Sequence, residues 1–374
     1  MSNVLHKMNA LTHSVLITVI VLFVFSNLSA QPDEHGEKKG DETWREEVQQ
    51  EEFKAGEMII EHITDAYEWH IITIGHTHVT VPLPVMLYDE GKFHFFMSSA
   101  FHHGADSYKG YFISHHEMNA GKIVRKDSAG EEVRPLLDFS FTKNVLAIFI
   151  SMFILIFVFL SVAKAYKKRE GKAPKGLQSF LEPIIIFVRD DIAKASIGEK
   201  RYEKYLPFLL TVFFFIILNN LLGIVPFFPG GANVTGNIGV TGVLALFTFI
   251  ITTFSGNKAY WTHIVNAPGV PWWLKIPVPL MPIVELMGVF TKPFVLMVRL
   301  FANISAGHII ILGFISLIFI FGEINAGAGY GVAVVSVAFS IFMDVLELLV
   351  AFIQAYVFTL LSALYFGMAT EEHH

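Results

Sequence analysis

The sequence VLMVRLFANISAGHIIILGFISLIFIFG, residues 295–322, decides the fold because it is apolar enough to lie within a lipid bilayer. It contains Arg299, which is the one arginine in the last hundred residues of the chain. An arginine side chain stays protonated at any biological pH, and placing it at the centre of a membrane helix costs ~2.5 to 3.5 kcal/mol. A charge placed at such a cost indicates a functional role for Arg299.

The composition of the whole chain is that of a polytopic membrane protein. Of its 374 residues, 53% are hydrophobic and 16% are charged, an apolar share above that of ordinary soluble domains. A net charge of only -6 gives no sign of nucleic-acid binding or of a polybasic membrane-surface patch. Because the chain has no cysteine, it can form neither a disulfide scaffold nor a thiolate metal site.

Residues 1–30 have the layout of a secretory signal peptide: a basic start, an apolar run and small residues that end at Ala30. Leu28 fits the preferred cleavage pattern poorly, so an uncleaved membrane anchor is the alternative. In either case we expect the following region, residues 31–140, to lie outside the cytoplasm.

The region of residues 31–140 is expected to form a small α+β domain. Residues 55–68 have a weak helical period, and the stretch that follows, to Phe96, is β-branched and aromatic with a turn at 89–91, which predicts short strands. Ten of the sixteen histidines fall between His35 and His116. Their spacing matches no helical or Cys/His metal motif, so we interpret them as solvated or hydrogen-bonded side chains and expect no metal site.

Five apolar segments are long enough to cross a hydrocarbon layer of ~30 Å as helices. They cover residues 144–163, 206–226, 238–255, 282–321 and 331–366. The last two would be helices of ~60 and ~54 Å, and neither has an internal Gly-Pro cluster, so we expect them to be long and strongly tilted. The predicted fold class is therefore an all-α polytopic membrane protein, with its membrane domain at 141–374.

Charge also predicts the orientation of these spans. Six lysine and arginine residues follow the first span within twelve positions, from Lys164 to Lys175. By the positive-inside rule this loop is cytoplasmic, so the N-terminal region is periplasmic and the C-terminus is cytoplasmic. Four asparagines flank the break between the second and third spans, where we favour capping and turn chemistry over the lining of a wet cavity: Asn219, Asn220, Asn233 and Asn237.

Polar side chains recur along one face of the fourth predicted span. Offsets of 14, 7 and 4 residues at 100° per residue bring them within about 40° of the direction of Arg299. This face comprises Glu285, Lys292, Arg299 and Asn303. His308, nine residues beyond Arg299, falls on the opposite side of the helix. The fifth span has a polar face of its own, which comprises Glu347, Gln354 and Tyr365. Asp344 lies one turn before Glu347.

Ionisable residues inside a membrane face a protein interior or a water-filled path, and chains of Asp, Glu and His form proton relays. His308 and Glu347 suit this role because imidazole both accepts and donates a proton and a buried carboxyl group can be neutral near physiological pH. Arg299 cannot pass a proton onward, but it repels positive charge and attracts a carboxylate. The structural alternative is a salt bridge from Arg299 to Glu285 or Glu347.

The segments ELMGVFTKPFVLMVRLFANISAGH (285–308) and ELLVAFIQAYVFTLLSALYFGMATEEHH (347–374) resemble subunit a of F-type ATP synthases. The order of the spans and the segments NNLLGIVP and NVTGNIGVT match as well, so the resemblance covers roughly residues 140–374. It implies that Arg299 is the stator arginine opposite the rotor carboxylate. Because family members often exchange an acid and a histidine at the positions of His308 and Glu347, it also implies that these two residues form a close pair.

The resemblance assigns the remaining polar residues to proton translocation. Asn303 and Gln354 become polar neighbours of Arg299, and Glu285, His308 and Glu347 belong to the two aqueous half-channels. Asp344 and Tyr365 complete the set of residues expected to take part in proton translocation. The implied partners are the c-ring, the subunit b peripheral stalk and the other ATP synthase subunits, in a bacterial inner membrane. No P-loop occurs, so we expect no cofactor and no catalysis on this chain.

Two other functional classes compete with this interpretation. An autonomous channel or secondary transporter would predict inverted repeats and broken helices at the binding site. An assembly anchor for the external region would leave Arg299, His308 and Glu347 without a reason. The coupling ion is open between H⁺ and Na⁺, because that selectivity depends on the rotor.

Overall fold

The computed structural model describes residues 54–74, 77–116, 118–225, 228–265 and 280–371. The predicted signal peptide lies outside the described residues. The described part of the chain begins with a strand-rich segment and continues as a bundle of long helices. The expected combination of a polytopic α-helical membrane protein with a small N-terminal region is confirmed.

The N-terminal region contains a short helix and small antiparallel sheets. Helix α1 spans Ala55–Ile63 and ends earlier than predicted, since Thr64 is already in extended conformation. The strands are β1 Glu68–Ile74, β2 Thr77–Pro82, β3 Pro84–Asp89, β4 Lys92–Met97, β5 Tyr111–Ile113, β6 Ile123–Lys126, β7 Glu132–Val133 and β8 Leu137–Asp138. We call residues 68–138 the β region.

The β region contains three sheets. The first pairs β1 with β2, the second has the strand order β4-β3-β8, and the third has the strand order β5-β6-β7. The predicted turn at 89–91 is confirmed: Glu90 and Gly91 both have positive φ and join β3 to β4 as a tight hairpin. Alternate residues of β3, Val85 and Leu87, are fully buried against Phe101.

The helices that follow are α2 Lys143–Lys168, α3 Leu177–Phe187, α4 Ala195–Ile197, α5 Tyr202–Ile224, α6 Ile238–Ser255, α7 Lys258–Val265, α8 Leu280–Ile324 and α9 Ala326–Thr370. A π-helical segment, Val188–Lys194, joins α3 to α4. Within the described residues, five of these helices are long and apolar enough to cross a membrane: α2, α5, α6, α8 and α9. All five predicted spans are therefore confirmed as helices, whereas α3 and α7 were not predicted.

Helices α8 and α9 are each 45 residues long and continuous, which corresponds to ~68 Å. The Gly-rich stretch expected to separate them is itself helical, and only Asn325 lies between the two. The side-chain oxygen of Asn325 accepts a hydrogen bond from the amide of Gly327 at 2.7 Å and so caps α9. This cap explains why so short a connection suffices.

The long helices run antiparallel with a constant register. Contacts between them join Phe314 to Phe339, with ring centroids 4.0 Å apart, and Lys292 to the ring of Tyr365, at 5.7 Å. Near the connection, a Cβ atom on Gly329 would lie 2.8 Å from the Cα atom of Gly322, so the two backbones approach closely there. Of the predicted polar faces, Lys292 of α8 is thereby brought against Tyr365 of α9.

Candidate functional site

A close contact between His308 and Glu347 joins α8 to α9. Nδ1 of His308 lies 2.7 Å from Oε1 of Glu347, and the two side chains are only 15% and 4% exposed. The expected close pair is thus formed between residues of different helices. The other carboxylate oxygen of Glu347, Oε2, is buried and has no hydrogen-bond partner among the described residues.

Small residues make room for this pair. A Cβ atom on Gly307 would lie 3.2 Å from Oε1 of Glu347, and one on Gly223 would lie 3.5 Å from Nε2 of His308. The same Gly223 position is 3.4 Å from the carbonyl oxygen of Ala232. The imidazole therefore has Glu347 at one nitrogen and a narrow wall of α5 and the following loop at the other.

Arg299 lies about two and a half turns closer to the start of α8 than His308 and is only partly buried. No carboxylate of the described residues lies within salt-bridge distance of it, so the alternative of a structural salt bridge to Glu285 or Glu347 finds no support. The contacts of His308 and Lys292 with α9 bracket Arg299 and place it about one turn from Gln354. Arg299 also lies close enough to Tyr365 for its positive charge to interact electrostatically with the hydroxyl group of that residue.

The predicted polar face of α9 points into the bundle. Glu347 and Gln354 are buried, and Tyr365 is half-buried. Asp344 is half-buried as well and lies close enough to interact electrostatically with both His308 and Glu347. Asn303 shares the face of Arg299 but is exposed on the surface of the bundle.

A second polar cluster lies between the start of α8 and the end of α9. Lys292 and Tyr365 line a small, partly open pocket together with Thr252 and Tyr260. Burial, and then the nearby carboxylate of Glu285, raise the pKa of Tyr260. The predicted residues Glu285 and Tyr365 thus belong to this cluster rather than to the His308 pair.

Three of the four asparagines near the break between α5 and α6 are buried, contrary to the expected capping role. Asn220 donates to the carbonyl oxygen of Ala351 in α9 at 3.2 Å, and Asn219 donates within its own helix. Asn233 is buried, and neither polar atom of its side chain has a partner among the described residues. Capping was correct only for Asn237, whose side chain accepts from the amide of Gly239.

The signal for these buried asparagines was present in the sequence, because Asn219 and Asn220 lie inside an otherwise apolar span. Their role was assigned wrongly because the predicted end of the helix was close enough to suggest a cap. The histidines of the β region form no metal cluster within the described residues.

Fold and site together define a multi-pass α-helical membrane protein with ionisable groups inside its spans. Residues 145–367 match the family model described as ATP synthase A chain, and residues 58–139 match a domain of unknown function (DUF8433). The chain belongs to the ATP synthase A chain family, subunit a of the F-type ATP synthases. It is therefore a membrane subunit of the Fo sector, linked to proton transport and ATP synthesis.

Curated relatives agree with this assignment. The chain is 46% identical to ATP synthase subunit a of Chloroherpeton thalassium over 244 residues, which cover 63% of this chain and 69% of the relative. It is 43% identical to the subunit of Chlorobium phaeobacteroides (strain DSM 266) over 285 residues, 72% and 78% of the two chains. Identity to ATP synthase subunit a 2 of Prosthecochloris aestuarii is 44% over 279 residues, 71% and 81% of the two chains.

Proposed function

We propose that this chain is the proton-translocating stator subunit that provides two offset half-channels to the carboxylates of a c-ring. The observation that carries the proposal is the state of Arg299, which is a permanent charge on a membrane span, partly exposed and without a carboxylate partner among the described residues. Such a charge needs a partner within the membrane. A rotor carboxylate that passes along α8 would supply it.

The two polar clusters lie on opposite sides of Arg299 along α8. His308 is nine residues from Arg299, about 13.5 Å along the helix, and Glu285 is 14 residues away in the other direction, about 21 Å. The path by which protons enter, at the His308 pair, and the path by which they leave, past the Lys292 pocket, therefore lie on opposite sides of Arg299 along the helix. Its charge would prevent a direct passage between the two half-channels.

His308 would act as the relay of the uptake half-channel. Its Nε2 atom faces the wall at Gly223, while its Nδ1 atom faces Oε1 of Glu347. A proton accepted at Nε2 allows the proton on Nδ1 to pass to Glu347, after which the imidazole is neutral again in the other tautomer. The buried Oε2 atom of Glu347 and the side chain of Asn233 have no hydrogen-bond partner among the described residues, and such atoms are commonly satisfied by ordered water.

We further propose the orientation and partners of the chain. The β region lies in the periplasm, the C-terminus lies in the cytoplasm, and the membrane is the bacterial inner membrane. The c-ring packs against α8 and α9, and the subunit b stalk holds the chain still. Nucleotide chemistry takes place on other subunits, so this chain is not an enzyme by itself.

The test is Arg299→Ala in the assembled ATP synthase in membrane vesicles, with Arg169→Ala at the exposed end of α2 as the matched control. We expect Arg299→Ala to abolish proton-driven ATP synthesis and to raise the passive proton leak, and Arg169→Ala to change neither. Synthesis at a near-normal rate in Arg299→Ala would falsify the proposal.

The alternative of an autonomous channel predicts that the purified chain alone conducts ions. We expect negligible conductance and co-purification with a ring of small hairpin subunits, because half-channels that end at mid-membrane need the rotor to join them. Sodium dependence of ATP synthesis distinguishes the two candidate coupling ions.

A further inference from the structure

The segment just before the β region is attached to the first membrane helix by hydrogen bonds as well as by the chain itself. The amide of Lys143, the first residue of α2, donates to the carbonyl oxygen of Ala66 at 2.8 Å, and its Nζ atom donates to the carbonyl oxygen of His62 at 3.2 Å. The next amide, of Asn144, donates to Oδ1 of Asp65 at 2.9 Å. The start of α2 is thus fixed to the segment between α1 and β1.

Trp69 of β1 reaches from the β region into the core of the bundle. It is 3% exposed and belongs to the same buried cluster as residues of α2 and α5. Its ring meets the ring of Phe228 edge-on, with the centroids 5.2 Å apart. Phe228 begins the described part of the loop between α5 and α6, residues 228–237.

This loop forms one wall of the His308 site. The amide of Gly231 donates to the carbonyl oxygen of Leu222 at 3.0 Å, and the hydroxyl of Ser305 in α8 donates to the carbonyl oxygen of Gly236 at 3.2 Å. Between these two anchors, the carbonyl oxygen of Ala232 and Nε2 of His308 both lie beside Gly223, 3.4 and 3.5 Å from where its Cβ atom would be. The loop thus extends from the Trp69 contact at its start to the Gly223 position that His308 also faces.

We propose that the β region, which matches a domain of unknown function, holds the 228–237 loop against His308, and that Trp69 is the positioning residue. This inference rests on the proposed uptake role of His308 and extends it to the N-terminal region. The loop has three hydrogen-bonded anchors on the bundle, since the hydroxyl of Thr235 also donates to Oδ1 of Asn220. The Trp69 contact adds a fourth, at the start of the loop. Loss of that contact would free the start of the loop, let the wall beside Nε2 move and admit bulk water.

The chain has no cysteine, so a single introduced cysteine reports on this wall without background from the subunit itself. Ala232→Cys is the reporter, because Ala232 is 3% exposed and its carbonyl oxygen lies beside the Gly223 position that Nε2 of His308 also faces. The assembled ATP synthase in right-side-out vesicles is treated from outside with a membrane-impermeant maleimide. The labelling rate is measured on the separated subunit, and ATP synthesis is measured on the same preparations.

Trp69→Ala is expected to raise the labelling rate of Ala232→Cys by ~2- to 30-fold, the range of couplings carried by packed side chains. ATP synthesis per assembled complex is expected to fall in parallel, and Trp69→Phe to restore both, since a smaller ring keeps the edge contact. The matched control is Phe93→Ala. Phe93 lies in the same region and is 72% exposed, so this substitution removes an aromatic ring that does not contact the loop. It is expected to change neither quantity.

An unchanged labelling rate in Trp69→Ala overturns the proposal, as does an equal rise in Phe93→Ala, which indicates general loosening. If Trp69→Ala does not assemble, Phe228→Ala removes the same contact from the loop side and is expected to give the same rise; no rise there overturns the proposal as well. Failure of the proposed function can be distinguished from failure of this inference. It would appear as ATP synthesis retained in Arg299→Ala, whatever the labelling rates of Ala232→Cys.

Discussion

Nδ1 of His308 and Oε1 of Glu347 lie 2.7 Å apart across the interface of α8 and α9, although the residues are 39 positions apart in the sequence. Because each helix contributes one partner, the pair depends on the rotation of both helices. Around it, glycines at 307 and 223 leave just enough space for the two side chains. The predictions below follow from this packing and from the contacts that support it.

Exchange of the two partners tests whether they act as a pair. We expect His308→Ala and Glu347→Ala each to lower proton-driven ATP synthesis by ~100-fold or more, the usual worth of a positioned proton-transfer group. The double exchange His308→Glu with Glu347→His keeps one acid and one imidazole at the same contact and should recover a substantial part of the activity. If the double variant is no better than the single exchanges, the pair does not act as a unit.

Gly307→Ala tests the space beside Glu347. The added methyl group would lie 3.2 Å from Oε1, so the carboxylate must move by a few tenths of an ångström and the contact with His308 lengthens. We expect a loss of ATP synthesis of ~2- to 10-fold with normal assembly, smaller than for removal of either partner. Gly313→Ala on the same helix is the matched control, because a methyl group there meets nothing within 4 Å.

Gly329→Ala tests the close approach of the two long helices near their connection. Its methyl group would lie 2.8 Å from the backbone of Gly322, so the helices must separate. We expect a destabilisation of ~1 to 3 kcal/mol, as for other overpacked contacts, measured as thermal unfolding of the purified subunit complex. Gly331→Ala has open space around the new methyl group and should have little effect; equal effects of the two variants would contradict this account.

The β region should lose stability in acid through Asp89. Burial alone would raise the pKa of this carboxyl, but hydrogen bonds from Arg125, at 2.7 Å, and Tyr111, at 3.0 Å, lower it below its ordinary value of 3.8. A lowered pKa in the folded state adds stability above the unfolded value, and this contribution is lost as the pH falls through the folded value. Protection of the β3 and β4 amides against hydrogen exchange, measured relative to the intrinsic rate at each pH, should therefore fall below about pH 4.

The variant Asp89→Asn removes the group that titrates and keeps its shape. We expect it to be less stable than the wild type at pH 7 and to lose less protection against exchange, relative to the intrinsic rate, between pH 5 and 3. An unchanged acid dependence would mean that other carboxyl groups control the stability of the β region.

The five membrane helices could be predicted because, inside a bilayer, a long apolar segment can satisfy its backbone hydrogen bonds by itself only as a helix. The same regularity made the polar faces readable, since a spacing of seven or eleven residues fixes which side chains share a direction. The glycines between α8 and α9 misled the prediction, because Asn325 caps α9 and close helix contact favours small residues there. Asn219 and Asn220 misled it in the opposite sense, since their burial depends on packing against α9.

The sequence alone determined which residues are confined to membrane helices and which faces they share, because helical geometry and the cost of charge in lipid act locally along the chain. Tertiary structure decided which faces meet. It joined His308 to Glu347, left Arg299 without a carboxylate partner in the part of the chain that the structure describes, and brought Trp69 against Phe228. Those outcomes depend on helix rotation and register between distant segments, which local spacing does not fix.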